Sequence, residues 1–297
     1  MKIISIILAG LVVVCGCSIR RLAVNQFGDA LAKGGGVFES DDDPELVRQA
    51  VPFGLKLQEG LLTESPRHQG LLLSLASGFT QYAYAFVQAD AVEMDDKDAT
   101  AAKALRDRAR RLFLRARDYG LRGLEVNYPE FSKNPLAALP LTTKRDVPLL
   151  YWTAAAWGAA IADAKDRPDI VADVGKMAAM MDRALELNET FEHGAIHAFL
   201  INYEMARPGV KPAEAQARAR RHFDRAVALS AGKQAGPFVA YAEAVCVQQQ
   251  HRAEFAKLLQ QALAIDAYAV PESRLANLVA QRRARWLLGR MDELFVE

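Results

Sequence analysis

The stretch Arg108-Ala-Arg-Arg-Leu-Phe-Leu-Arg-Ala-Arg-Asp-Tyr-Gly120 sets Ala109, Phe113 and Ala116 on one helix face, with arginines filling the positions between. Small, large, small at this spacing is the pattern of the second helix of a tetratricopeptide repeat. The alanines let a neighbouring helix approach, and the large residue fills the gap between repeats. The pattern recurs at Ala219, Phe223 and Ala226, and more loosely at Met177, Met181 and Ala184 and at Phe255, Leu259 and Ala262. After Pro66, Leu72, Leu75, Ala76 and Phe79 read as the first helix of such a unit. Asn188, Ser230 and Asp266 each stand four residues beyond their alanine, where a unit closes. Ala116 to Ala184 spans 68 residues, twice the 34-residue period, while the next steps of 42 and 36 are irregular. Four matches in register predict an all-α fold of stacked helical hairpins, a tetratricopeptide-like solenoid, with a generic helical bundle as the alternative.

Outward from that stretch the same grammar continues. Asp43-Pro44 reads as an N-cap with proline at the first helical position. It opens a helix that carries Leu46, Val47, Ala50, Phe53, Leu57, Leu61 and Leu62 as its apolar stripe and stops near Ser65-Pro66. Period-2 alternation of branched residues is missing, so no sheet is expected. Hydrophobic residues make up 51% and charged residues 25% of the 297, which excludes a disordered chain and a polytopic membrane protein. Without the first sixteen residues the basic and acidic side chains balance at 36 each, which gives no electrostatic reason to bind nucleic acid.

The beginning of the chain reads as an address. Lys2 is followed by an apolar run from Ile3 to Val14, too short to span a bilayer. Val14-Cys15-Gly16-Cys17 matches a bacterial lipobox, with an aliphatic residue at −3 and glycine at −1. Cys17 is therefore the expected lipidation site, with several acyl chains as the only membrane attachment; the alternative is a plain signal peptide. Ser18 after it favours the outer membrane in a cell with two. A short helix is expected over Ser18 to Lys33, followed by a break at Gly34-Gly35-Gly36. The expected organisation is a signal peptide over 1–16, a lipidated segment with a glycine hinge over 17–40, and one helical domain over 41–297.

Candidate chemistry is thin. There is no Gly-x-Ser-x-Gly, phosphate loop or dinucleotide fingerprint, and the glycine triplet lacks the Lys-Ser/Thr of a nucleotide site. His193, His197 and Glu204 share a helix face, but Gly194 stands where a metalloprotease helix needs glutamate. Cys246 sits among apolar neighbours and reads as an inert buried thiol. A non-enzymatic protein without metal or cofactor is the reading. The aromatics carry more. Phe79 and Tyr82 share a face with Phe86, leaving Tyr84 on another, while Tyr151, Trp152 and Trp157 crowd one helix and point in different directions. With Tyr119 and Tyr241 they are either core or the lining of a groove for an apolar ligand or a partner.

Several strings resemble the T component associated with tripartite ATP-independent periplasmic (TRAP) transporters. They are Ser40-Asp-Asp-Asp-Pro-Glu-Leu46, Gly78-Phe-Thr-Gln-Tyr-Ala-Tyr-Ala-Phe86, the Arg108–Gly120 stretch, and Leu149-Leu-Tyr-Trp-Thr-Ala-Ala-Ala-Trp-Gly158. His222-Phe-Asp-Arg-Ala-Val227 and Leu275-Ala-Asn-Leu-Val-Ala-Gln-Arg-Arg-Ala-Arg-Trp-Leu-Leu288 complete the set. The resemblance implies a lipoprotein facing the periplasm, with a tetratricopeptide-like fold, that assembles as a homotrimer. It also implies cooperation with the substrate-binding P component, and passage of a hydrophobic ligand through a pore or cleft. The family supplies no motif that assigns ligand-contacting residues.

Overall fold

Asp43 opens the first long helix as its sequence predicts: its carboxylate accepts from the backbone N–H groups of Glu45 and Leu46, each at 3.0 Å, and Pro44 follows. The computed structural model describes residues 25–32, 35–164 and 167–296. The signal peptide, Cys17 and Gly34 lie outside the described residues. Among those described, the chain is helical and no strand occurs. In order, the helices are α1 (25–32), α2 (Gly35–Glu39), α3 (Pro44–Glu64), α4 (Gln69–Tyr82), α5 (Ala89–Met94), α6 (Ala99–Glu125), α7 (Pro135–Ala138) and α8 (Val147–Ala162). There follow α9 (Pro168–Val171), α10 (Val174–Leu187), α11 (Ala195–Ala206), α12 (Pro212–Leu229), α13 (Gly236–Tyr241), α14 (Arg252–Ala264), α15 (Arg274–Leu288) and α16 (Met291–Leu294). Helix α1 lies within the helix expected over Ser18 to Lys33, and Gly35 and Gly36 form the first turn of α2.

Each helix packs chiefly on the next: α3 on α4, α4 on α6, α6 on α8, α8 on α10, then α11 on α12, α13 on α14 and α14 on α15. The repeat residues sit in these seams. Leu72, Leu75, Ala76, Ala109, Phe113, Ala116, Met181, Ala184, Ala219, Phe255, Leu259 and Ala262 are inaccessible to water. Phe79, Met177, Phe223 and Ala226 are nearly so. Asn188 and Ser230 follow α10 and α12 directly, and the N–H of each donates to the carbonyl of its repeat alanine, Ala184 and Ala226. The α6–α8 seam is closest at Gly120, where a Cβ would lie 2.0 Å from Thr153 Oγ1 and 3.3 Å from its Cα. Glycine is the residue that admits α8 there.

The stripe expected on α3 needs correction. Val47, Leu55 and Leu62 are its buried residues, whereas Leu46, Phe53 and Leu57 are exposed, Phe53 at 74%. Helix α3 forms the outer layer and packs on α4 by one face, so the second row of apolar residues is left facing outward.

A helix late in the row also returns to its early members. Helix α15 packs on α2 and α3. Arg274 Nη1 donates to the Ser40 carbonyl at 2.7 Å, and Arg282 reaches Glu93 at 2.8 Å and Asp90 at 3.4 Å. Asp90 is held by Arg48 of α3, and Arg290 pairs with Asp96 beyond the end of α5.

Candidate functional site

Two helices are interrupted by π-helical turns. Helix α4 continues into α5 through a π-helical turn, Ala83–Gln88, and this turn carries Tyr84. Helix α13 continues into a second one, Ala242–Cys246, which carries Glu243, paired to Arg283 of α15. Such turns insert a residue into a helix and re-aim its side chains, and they recur at functional sites. The charges of Glu243 and Arg283 bear on Tyr84. Tyr84 in turn bears on Tyr151 of α8.

Tyr84 is 63% exposed to water, yet removal of its phenolate from water is the main cause raising its pKa. The ring touches water while neighbouring protein thins the solvent around its hydroxyl. Glu192 repeats the combination. Its residue is exposed, yet burial first and the Glu39 carboxylate second push its carboxyl up to about 7, against a hydrogen bond from Trp152 that favours ionisation. Glu39 is raised by burial and then by Glu272. Tyr151 is raised by burial, then by Glu192. Its ring meets Trp152 edge-on with centroids 4.9 Å apart, and Phe191 at 5.2 Å. Glu192 and His193 stand in the left-handed region, φ 43° and 56°, which costs backbone energy and turns Glu192 beside this aromatic group.

Of the residues singled out from sequence, Tyr151 and Trp152 come together, beside Phe191, while Tyr84 stands exposed on its π-helical turn. The other five lie elsewhere. Phe79 is buried and stacks on Tyr119 across the α4–α6 seam at 6.0 Å, and Tyr82 packs beside Phe86 at 5.7 Å. The Tyr119 hydroxyl donates to Glu59 at 2.7 Å, and burial followed by that carboxylate pushes its pKa up to about 12. Its ring edges a shallow open recess with Arg111, Arg115 and Arg122. Trp157 is 3% exposed, with Arg117 lying 5.2 Å over its ring. Tyr241 is buried against Phe223 at 4.8 Å. Phe79, Trp157 and Tyr241 are core positions, while Tyr82 and Tyr119 are half-buried in the seams.

His193, His197 and Glu204 do not converge. His193 is exposed, while Glu204 is buried and salt-bridged to Arg207 and Arg218. His197 is buried, its Nδ1 2.9 Å from Nδ1 of His222 on α12, a partner the sequence reading missed. Burial, then His197, holds His222 down at about 4. No group of three potential ligands for a metal occurs among the described residues. Cys246 is buried, and burial pushes its thiol up to about 12, so it is not a nucleophile at neutral pH.

Sequence reasoning also missed Glu39, Glu192, Glu243 and Glu272. Gly194, at φ 99°, is the only local sign of the turn that aims Glu192. Nothing local announces that Glu39 and Glu192, from distant parts of the chain, influence one another.

The sequence pattern of the TRAP transporter T-component family matches residues 40–295.

This chain belongs to that family. A protein of Treponema pallidum (strain Nichols), itself uncharacterised, is 30% identical over 95% of this chain and 94% of its own length. The T-component assignment makes this a transport-associated protein of the cell envelope. No described helix is long and apolar enough to cross a membrane.

Proposed function

We propose that this T component is anchored by lipid at Cys17 to the periplasmic side of the envelope, in the outer membrane. There it docks the substrate-binding P component of its transporter and passes that component's solute through a pore or cleft. The observation that carries this reading is the ring group of Tyr151, Trp152 and Phe191, drawn from α8 and the turn after α10, with the Tyr84 ring open to water. Aromatic walls with a few polar groups suit a ligand with an apolar body. The outward row of Leu46, Phe53 and Leu57 on α3 supplies an apolar face for protein contact, to the P component or between copies in a homotrimer.

The test is retention of native periplasmic proteins on the immobilised mature protein, identified by mass spectrometry. A TRAP-type substrate-binding protein held in near-stoichiometric amount supports the reading. Retention of envelope-assembly proteins alone would replace it with a scaffold that has no ligand of its own. For the anchor, Cys17→Ala moves the protein to the soluble fraction; a full-length variant that stays on the membrane refutes lipidation.

A further inference from the structure

We propose that the arginine-lined recess on the outer face of α6 docks on the head groups of anionic phospholipid, so that this face and the lipid anchor together lay the protein on its membrane. The proposal rests on the reading of Cys17 as the lipidated residue and adds the surface that its tether brings to the bilayer.

The arginines that fill the positions between the repeat residues give the first argument. Arg108, Arg111, Arg115 and Arg122 form one exposed stripe at helical spacing, on a different side of α6 from the buried Ala109, Phe113 and Ala116. Three of them, with Leu114, Asp118 and Tyr119, line the open recess. Arg111 has neither an ion pair nor a hydrogen bond among the described residues. Arg115 lies over the Phe79 ring and 3.6 Å from Glu59, a carboxylate that also accepts from Tyr119 and pairs with Lys56. Arg122 lies 5.4 Å over the Tyr119 ring. Asp118 is already paired with Arg117 at 2.7 Å. Positive charge is therefore in excess here, although the mature chain as a whole is balanced. Guanidinium forks match the oxygens of a phosphodiester, and Leu114 and the Tyr119 ring between them suit its apolar shoulder.

The tether decides what this face meets. Cys17 stands eight positions before Asn25, where α1 begins, and a chain of that length reaches at most about 29 Å. Helix α1 is fixed to the start of α4. His68 Nε2 lies 3.2 Å from the Asn25 carbonyl, and a Cβ on Gly28 would lie 3.1 Å from Leu71. The same turn meets the end of α6 that bears the recess. Arg67 donates to the Val126 carbonyl at 2.9 Å, Gln69 to that of Gly123 at 3.2 Å, and Arg122 to that of Pro66 at 3.3 Å. From Arg122 the stripe runs back to Arg111 over about 16 Å of helix. Acyl chains on Cys17 thus hold a bilayer within reach of these guanidiniums. Arg20 and Arg21 in the tether add positive charge beside the anchor, and the exposed Phe27 on α1 adds a ring of the kind that settles at head-group level.

Cosedimentation with vesicles tests this, using the mature chain from Ser18 so that no acyl chain contributes. The vesicles are phosphatidylcholine alone, or equal parts of phosphatidylcholine and phosphatidylglycerol. The expected result at low salt is at least tenfold tighter binding to the anionic vesicles, lost in half-molar salt. Arg111→Gln, which breaks no contact, should weaken that binding about fivefold, the effect of one cation at an anionic surface, and Arg111→Glu about thirtyfold. Lys211→Gln, exposed at the start of α12, should change it less than twofold. Equal binding to the two vesicles, or the same loss from Lys211→Gln as from Arg111→Gln, overturns the docking. Displacement by inorganic phosphate beyond that by chloride at equal ionic strength assigns the recess to a free phosphate ligand and overturns it too. Because the chain used carries no lipid, each of these failures leaves the Cys17 anchor, read by fractionation, standing.

Discussion

Trp157 and Trp152 lie on the same helix, five residues apart, and live in different environments. Trp157 sits in the seam between repeats, closed off by core residues and by Arg117, where its area stabilises the stack. Trp152 is half-buried, meets Tyr151 edge-on and stands near Glu192, whose carboxyl resists ionisation. The seam is dry, with the Trp157 indole N–H left without a hydrogen-bond partner, whereas the surroundings of Trp152 carry a raised carboxyl and strained backbone. Two tryptophans of one helix are thus sorted by what packs against each: the seam holds the fold, and the half-buried ring group is free to carry binding.

The largest test of that contrast is Trp157→Ala. Truncating a buried aromatic should cost about 3–5 kcal/mol in urea unfolding; a cost under about 1 kcal/mol would place Trp157 with the ring group of Trp152 instead. Acid comes next. His222 in the α11–α12 seam is held at about 4 against an ordinary 6.5, so the unfolded chain binds more protons in between. Stability from this pair is present above about pH 6.5 and lost as pH falls toward 4, by about 2 kcal/mol, and His222→Gln should flatten that limb. Glu192 should behave with the opposite sign. Its carboxyl stands at about 7 in the fold against 4.5 in the free side chain, so the folded protein binds the extra proton. Stability is then greatest below about pH 4.5 and is lost as pH rises to 7. Discounted for its contact with water, Glu192→Gln should stabilise the protein by about 1 kcal/mol at pH 8 and not at pH 4. Smallest of all, Tyr84→Ala should change stability by less than about 0.5 kcal/mol, because its ring supports no seam.

The repeat pattern was enough for the seams. Ala109, Phe113 and Ala116 are buried as their spacing predicts, because small and large residues at helical period have one way to pack against a neighbour. The same logic failed on α3, where two apolar rows compete and only a count of neighbouring layers decides between them. It failed more widely among the aromatics. Tyr84, Tyr151 and Trp152 were legible as unusual aromatics, but Phe79, Trp157 and Tyr241 looked the same. Periodicity gives the direction of a side chain about its helix. It does not give the curvature of the stack, the re-aiming by a π-helical turn, or the approach of Glu39 and Glu192 from positions 153 residues apart in sequence. The His197–His222 pair was hidden for the same reason, since its members lie on different helices.

The contacts of α15 with the beginning of the chain bear on how the protein melts. An open array of repeats depends only on nearest neighbours, so its ends fray and its units unfold piecemeal. Here Arg274 reaches Ser40 across 234 residues and Arg282 reaches Glu93 across 189. Closing loops of that length costs chain entropy that a local hairpin does not, so docking of α15 should be the late event in folding. Once formed, it ties late helices to early ones: loosening α15 uncovers α2 and α3, and the array gains the all-or-none character of a globular domain.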